Sequence, residues 1–248
     1  MFKTYDAIFA ERAASYQGAM ARWPDARAAE FEALIAPLGD LGDSIVCDVP
    51  AGGGYLRRYL PATTRYIAVE PAAVFFAACP QDERSTALLA PIEAVPLPAG
   101  SVDHVVSLGS LHHVASLAHV FGEMRRLLRP GGRVVACDVA VGSTAAAFLN
   151  GFVDRHNPMG HEGVFLGETA APTLAAAGFT IVADEAVVTP WRFADQGQAG
   201  AFCADLFGIA GLDVDAVARA LDEEIGFDPA PGGVTLRWPL RRVVGVAC

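Results

Sequence analysis

The sequence is poor in lysine and lacks long hydrophobic runs, and each shortage excludes a class of protein. Lys3 is the only lysine among 248 residues, and the formal net charge is −10. Nucleic-acid affinity depends on clustered lysine and arginine, so no nucleic-acid partner is expected. No apolar run is long enough to span a bilayer, and the N-terminal segment lacks the hydrophobic region of a signal peptide. We therefore expect a cytoplasmic protein with no membrane partner.

Paired cysteine motifs are also missing. The five cysteines are scattered along the chain without any CxxC pair, so they are interpreted as small core residues. The polar stretch "DRHNPMGHEG" contains Asp154, His156, His161 and Glu162, but their spacing follows no known pattern of metal ligands. The prediction is a protein without a bound metal, in which residues 143–165 form an irregular loop over a pocket.

Glycine is abundant, and three glycines in a row follow the first apolar run. The stretch "IVCDVPAGGGYLRRYL" predicts a strand at about 44–49, a glycine turn and then a helix to about residue 60. Further apolar strands alternate with helices up to residue 140, which indicates a parallel sheet covered on both faces. Open parallel sheets bind ligands at the carboxyl ends of their strands, so this turn predicts a ligand pocket.

Three kinds of ligand can be compared at the glycine turn. A mononucleotide loop requires a lysine that is absent here. A dinucleotide site requires a third glycine, but position 57 is Arg57, which weakens an NAD-dependent oxidoreductase as an alternative. A ligand with a cationic centre and a ribose would suit Asp48, at the end of strand one, and Glu70, at the end of strand two.

Four segments in this order carry a family resemblance: "VCDVPAGGGYL", "YIAVEP", "IEAVPLPAGSVDHVVSLGSLHHV" and "EMRRLLRPGGRVVACDV". Over about residues 44–140 the chain resembles the class I S-adenosylmethionine-dependent methyltransferases, in particular their small-molecule, type 11 branch. The resemblance implies a Rossmann-like, doubly wound α/β fold with a seven-stranded, mostly parallel sheet, an antiparallel last strand and a helical cap. It also implies S-adenosylmethionine as the cofactor.

A single domain, 1–248, is expected. Its parts are N-terminal cap helices in 1–40, a core sheet in 44–190 and 233–247, and a cap insertion in 191–230.

The resemblance also implies a set of cofactor contacts. In this reading Asp48 and the turn face the methionine end of the cofactor, Glu70 accepts the ribose hydroxyls, and the backbone amide of Ile92 meets the adenine. Pro71 lies against the adenine, and Tyr16 folds over the cofactor. The full set is Asp48, Ala51, Gly52, Gly54, Glu70, Pro71, Ile92, Leu108 and Tyr16.

Two positions depart from the family pattern. Pro50 stands where the first motif glycine is usual, and Pro91 stands where an aspartate often accepts the adenine amino group. A non-catalytic protein that kept the fold, and binds a cofactor or a partner, is therefore a second alternative.

Histidines supply the candidate chemistry. Methyl transfer needs aligned reactants, and it needs a base only where the acceptor must lose a proton. By resemblance, His112 is the candidate base and Asp138 its support, while His113, His156 and His161 are candidate acceptor contacts. The expected reaction is methyl transfer to a small or medium, partly hydrophobic acceptor, with oxygen or nitrogen favoured over carbon. The sequence predicts neither the acceptor nor the oligomeric state.

Overall fold

The computed structural model describes the backbone of residues 5–248. Within this range it describes the side chain of Phe9 and all side chains from Arg12 onward. Residues 1–4 of the expected cap therefore lie outside the described residues. Within residues 5–248, no helix combines the length and the apolar character that crossing a bilayer requires.

A mostly parallel sheet forms the centre of the molecule. Its strands are β1 (Ile45–Asp48), β2 (Arg65–Glu70), β3 (Ser85–Leu89), β4 (Val102–Leu108), β5 (Leu128–Val139), β6 (Phe179–Phe193), β7 (Phe227–Ala230) and β8 (Gly233–Ala247). The order is β3-β2-β1-β4-β5-β8-β6, and the short β7 pairs with β8. Strand β8 runs antiparallel to β5, β6 and β7, whereas the pairs among β1 to β5 are parallel. The expected α/β sheet is confirmed, with β7 as an additional short strand.

The apolar strands explain why the sheet is covered on both faces. Successive residues of a strand point to opposite faces. Val46 of β1 accordingly packs in one hydrophobic cluster and Cys47 in the other, and both are fully buried. The two clusters place one layer of helices on each side of the sheet, as expected for near-continuous apolar strands.

Nine α-helices surround the sheet in the described part of the chain. They are α1 (Tyr5–Arg22), α2 (Ala28–Ile35), α3 (Ala73–Phe76), α4 (Leu117–Leu127), α5 (Thr144–Phe148), α6 (Asp154–His156), α7 (Ala170–Ala176), α8 (Gln196–Phe207) and α9 (Val214–Glu224). Side chains of Ser116, Ser143, Asp195 and Asp213 accept a backbone N–H at the start of α4, α5, α8 and α9. These caps satisfy amide groups that the first helical turn leaves unpaired.

Helix α1 packs against α3 and α8, and α8 packs against α9. The ring of Phe202 on α8 packs edge to face on Trp23, with centroids 6.0 Å apart, and on Trp191, with centroids 5.6 Å apart. This helical layer forms the cap, and it carries residues that line both of the cavities described below.

Three segments differ from their predicted structure. Residues 144–156 form α5, a π-helical turn and α6, so only the rest of the predicted loop 143–165 is irregular. Alanine, phenylalanine and leucine side chains in this segment bury themselves against the core, which stabilises a helix. The glycine turn leads into a short 3₁₀ helix, Tyr55–Tyr59, and β6 continues to Phe193. The sheet therefore extends into the predicted cap insertion, because β8 offers a long antiparallel partner.

Candidate functional site

The glycine turn joins the end of β1 to the 3₁₀ helix. Gly52 and Gly54 have φ angles of +56° and +71°, in the left-handed region that glycine favours. A Cβ atom on Gly54 would lie 2.4 Å from Cδ of Pro80, so no other residue fits there without a shift. The Val49–Pro50 peptide bond before the turn is cis.

Glu70 holds this turn in place. Its side chain is fully buried, and its two carboxylate oxygens accept the backbone N–H groups of Gly52 and Ala72, each at 2.8 Å. The predicted role of Glu70 at the ribose stays a prediction, and the structure adds a second role in fixing the backbone of the turn.

A first cavity opens beside the turn, and we call it the glycine-turn cavity. Five predicted cofactor contacts line it: Tyr16, Asp48, Ala51, Gly52 and Leu108. Gly54, Glu70, Pro71 and Ile92 are not among its lining residues. No hydrogen bond within residues 5–248 uses the amide of Ile92, a residue that is buried. The hydroxyl of Tyr55 also lines the cavity, buried and without a hydrogen-bond partner among the described residues.

Asp48 is a buried carboxyl at the wall of the glycine-turn cavity. The hydroxyl of Tyr66 donates a hydrogen bond to its Oδ2 at 2.8 Å. Burial raises the pKa of Asp48 to about 7, and the hydrogen bond from Tyr66 opposes this rise. A cation in the cavity would favour the ionised carboxylate.

A second cavity adjoins the first, and we call it the histidine cavity. His112, His113 and His161 line one part of it, and Arg12 lines another. The remaining wall is mostly apolar: Phe9, Val139, Leu149, Trp191, Leu206, Phe207, Trp238 and Leu240. Phe9, Tyr16, Arg27 and Gly109 line both cavities, so the two spaces meet at these residues.

His112 and Asp138 form a hydrogen-bonded pair. Nδ1 of His112 lies 2.6 Å from Oδ1 of Asp138, and the backbone N–H of His112 donates to Oδ2 at 3.1 Å. Both residues are buried. A carboxylate accepts the proton of Nδ1, which leaves Nε2 as the basic nitrogen of the imidazole. The structure thus brings the predicted base and its predicted support into direct contact.

His113 and His161 lie beside this pair, whereas His156 does not. Ring centroids of His113 and His161 are 4.0 Å and 5.5 Å from that of His112. Burial, followed by the nearby His112 and Arg12, lowers the pKa of His161 to about 3, and burial likewise lowers that of His113. Both imidazoles are therefore neutral near pH 7. His156 packs on Phe152 and is not among the lining residues of either cavity.

The potential ligand atoms of the three histidines lie within 4.8 Å of one another, which is close enough to consider a metal ion. Tetrahedral zinc requires ligand nitrogens about 3.4 Å apart, so the imidazoles would have to approach each other. The guanidinium of Arg12 faces the same cavity and would repel a dication. The donor set fits proton transfer and hydrogen bonding better than metal binding.

Arg27 lies at the junction of the two cavities and Glu30 lines the histidine cavity, and neither was predicted as a site residue from the sequence. Nε of Arg27 donates to Oε2 of Glu30 at 2.6 Å, and Nη1 donates to the hydroxyl of Tyr16. Burial alone would lower the pKa of Arg27, but Glu30 and Tyr16 raise it above its ordinary value. The guanidinium also lies 5.3 Å from the ring centre of Trp191. The only signal in the sequence was the spacing of three residues between two opposite charges at a helix start.

Residues 47–136 match a family described as a methyltransferase domain. Over 97 residues the chain is 38% identical to an uncharacterized methyltransferase of Mycobacteroides abscessus, an alignment that covers 36% of this chain and 38% of the relative. The chain thus matches less than half the length of this curated relative.

Solved structures share the architecture over nearly the whole chain. One is a chain in the complex of the Haloferax volcanii Trm112 methyltransferase activator with a methyltransferase, with a TM-score of 0.67, 17% identity, and coverage of 96% of this chain and 95% of that chain. Another is the geranyl diphosphate C-methyltransferase of Streptomyces coelicolor A3(2), with a TM-score of 0.59, 14% identity, and coverage of 94% and 84%. That structure contains Mg²⁺, geranyl diphosphate and S-adenosyl-L-homocysteine. Residues 47–136 thus match the methyltransferase domain family, and the fold of nearly the whole chain is similar to that of these solved structures.

Proposed function

We propose that this protein transfers a methyl group from S-adenosylmethionine to a small, partly hydrophobic acceptor, at an oxygen or nitrogen atom. The observation that carries the proposal is the pair of adjoining cavities. One lies at the glycine turn, the other is lined by His112, which is paired with Asp138, and they meet at Gly109. Such an arrangement supports two ligands whose reacting atoms come together at the junction.

The residues of the glycine-turn cavity fit the cofactor. Asp48 offers an acid to a ligand with a cationic centre, and the missing side chains of the turn allow close approach to the backbone. The hydroxyl of Tyr55, which has no hydrogen-bond partner among the described residues, offers a hydrogen bond. When bound there, S-adenosylmethionine supplies an electrophilic methyl group. The family match and the S-adenosylhomocysteine in the Streptomyces coelicolor structure support this cofactor.

The histidine cavity would hold the acceptor. Nε2 of His112 accepts the proton of the attacking hydroxyl or amine, while Asp138 keeps the imidazole oriented and stabilises its protonated form. His113 and His161 are neutral and would contact the acceptor by hydrogen bonds. The apolar walls and the cap exclude water from the reacting atoms.

Calorimetric titration of the purified protein with S-adenosylmethionine and with S-adenosylhomocysteine tests the proposal. Binding of both at micromolar concentrations is expected, with NADH as the negative control. Absence of binding to either would favour the non-catalytic alternative, and binding of NADH instead would favour the oxidoreductase. Methyl transfer itself is then measured by screening hydrophobic acceptors for release of S-adenosylhomocysteine.

Glu70→Ala is expected to weaken S-adenosylmethionine binding by about 100-fold, because two charge-assisted hydrogen bonds to the ribose would be lost and the turn would loosen. The structure also predicts a loss of stability of about 1–3 kcal/mol, since the amides of Gly52 and Ala72 lose their acceptor. Calorimetry and thermal unfolding measure the two effects. Glu83→Ala, at an exposed acid before β3, is the control and should change neither. An unchanged affinity in Glu70→Ala contradicts the ribose role.

Cofactor affinity is expected to depend on pH through Asp48. Below its pKa of about 7 the carboxyl holds a proton that must leave before the carboxylate can face a cation. S-adenosylmethionine affinity should therefore rise about tenfold from about pH 6 to about pH 8, with release of a proton on binding. The hydroxyl of Tyr66 donates a hydrogen bond to Asp48 and stays neutral between about pH 6 and about pH 8. This hydrogen bond limits the rise in the pKa of Asp48.

Titrations in two buffers of different ionisation enthalpy measure this proton release. The variant Asp48→Asn removes the titrating group, so it reports the contribution of the cofactor's own amino group. Equal pH dependence in the variant and in the wild type would contradict the role of Asp48.

A further inference from the structure

Arg12 is a buried cation in the wall of the histidine cavity. Its side chain is 9% exposed, and its Nη2 donates to the backbone carbonyl of Leu206 on α8 at 2.9 Å. Its Nε is buried against Gly208 and has no hydrogen-bond partner among the described residues. A guanidinium has five N–H donors in a planar fork. Most of these donors have no protein acceptor in the described part of the chain.

The charge of Arg12 has no partner of opposite sign among the described side chains. Burial lowers the pKa of Arg12 to about 10, so it still carries its charge near pH 7. Arg27, the other buried arginine at this site, is paired with Glu30. Because an unpaired buried charge is costly, buried charges are nearly always paired. Among the described side chains, Arg27 thus has a counter-charge and Arg12 has none, which leaves room for an anionic ligand at Arg12.

The neighbours of Arg12 in the cavity narrow the chemistry of that ligand. His113 and His161 are neutral, and burial and nearby positive charge keep them so. A second wall of the cavity is built from stacked aromatic rings, with centroids of Trp191 and Trp238 4.3 Å apart and those of Phe207 and Trp238 5.7 Å apart. A ligand that satisfies both walls is flat or compact, apolar over most of its surface and negatively charged at one end.

We propose that Arg12 binds an anionic oxygen group, in the simplest case a carboxylate, on a hydrophobic methyl acceptor. The inference deepens the proposed function and rests on it for the statement that the ligand is a methyl acceptor. The anion site itself does not depend on methyl transfer. Arg12 and His112 line the same cavity, so a compact ligand held by its anionic group at Arg12 would present a second polar atom towards His112 and the junction. The arginine would thus determine both the class of acceptor and its orientation.

Three probes of similar size and different charge test the inference on the wild-type protein: 2-naphthoate, 2-naphthamide and 2-naphthylmethylammonium. About 540 Å³ of space in the cavity and its mouth is free of protein atoms, including the part open to solvent. Calorimetry is expected to give at least tenfold tighter binding of the carboxylate than of the amide, and the weakest binding for the ammonium. Equal affinities, or no binding of any probe, would overturn the inference.

Three variants then test whether Arg12 binds the anionic group. In Arg12→Met the preference for the carboxylate should fall to less than twofold, whereas Arg22→Met, at an exposed arginine on the same helix, should keep it. Arg12→Lys keeps the charge but not the fork, so it should bind the carboxylate several-fold more weakly. A preference that persists in Arg12→Met overturns the proposal. Should Arg12→Met not fold, unchanged carboxylate binding in Arg12→Lys overturns it.

The probes are titrated without cofactor, and S-adenosylmethionine is titrated separately. A carboxylate preference that depends on Arg12, in a protein that binds no S-adenosylmethionine, would refute the proposed function and keep the anion site. Cofactor binding without any carboxylate preference would refute the anion site and keep the proposed function.

Discussion

His112→Ala is expected to lower the turnover number of methyl transfer by about 10²–10⁴-fold while S-adenosylmethionine binding persists. The reason is the pair that His112 forms with Asp138: the 2.6 Å contact at Nδ1 leaves Nε2 free to accept the acceptor proton. His112 does not line the glycine-turn cavity, so cofactor affinity should change little. The measurement is release of S-adenosylhomocysteine with an acceptor found by screening hydrophobic carboxylic acids, combined with calorimetry of the cofactor.

Two further variants separate chemistry from packing. His119→Ala removes an exposed histidine on α4 and should leave turnover unchanged. Asp138→Asn keeps the shape but presents an amide to the imidazole, so it should lower kcat with little change in KM. Full activity of His112→Ala would remove the base role and leave alignment of the reactants as the source of catalysis.

Glu30→Gln is expected to lower the free energy of unfolding by about 3–5 kcal/mol, because it leaves the guanidinium of Arg27 buried without its counter-charge. Glu30 is 1% exposed, and its Oε2 accepts from Nε of Arg27 at 2.6 Å. The cap would loosen at the same time, since Arg27 also donates to Tyr16 on α1. Urea unfolding followed by circular dichroism measures the loss.

The same helix provides a control for this loss. Glu32→Gln changes an exposed glutamate on α2 and should alter stability by less than about 0.5 kcal/mol. The double variant Arg27→Met/Glu30→Gln removes both charges and should recover part of the stability lost in Glu30→Gln. Equal stability of Glu30→Gln and the wild type would show that the ion pair makes no net contribution.

Local patterns predicted the elements closest to the glycine turn. Strands β1, β2 and β4 are short apolar runs bounded by turn residues, so their existence and their parallel arrangement follow from composition and spacing. The segment 144–156 was harder to predict, because a run of small apolar residues next to polar ones suits a loop as well as a helix. Its helical structure depends on the surface against which Phe148, Leu149 and Phe152 pack.

The cluster of His112, Asp138 and His161 likewise contains contacts that the sequence predicted and contacts that depend on the tertiary structure. The resemblance placed His112 and Asp138 after neighbouring strands, where side chains meet at one edge of a sheet. His161 comes from a distant segment, and its approach to His112 depends on the path of the chain after α6, where its Nδ1 lies 2.9 Å from Oδ1 of Asn150.

The sequence by itself determined the parallel sheet, the glycine turn and the acids that end the first two strands, because these depend on backbone geometry and short-range periodicity. Only the tertiary structure decided which charges are buried. Arg12 and Arg27 look alike in the sequence of the first two helices, but folding buries both and supplies a carboxylate to Arg27 alone among the described side chains. Burial arises from contacts between segments far apart in the chain, and so no local pattern could reveal it. The pair of Arg27 and Glu30 is local, with the two positions three residues apart, but the sequence alone does not show that it is buried.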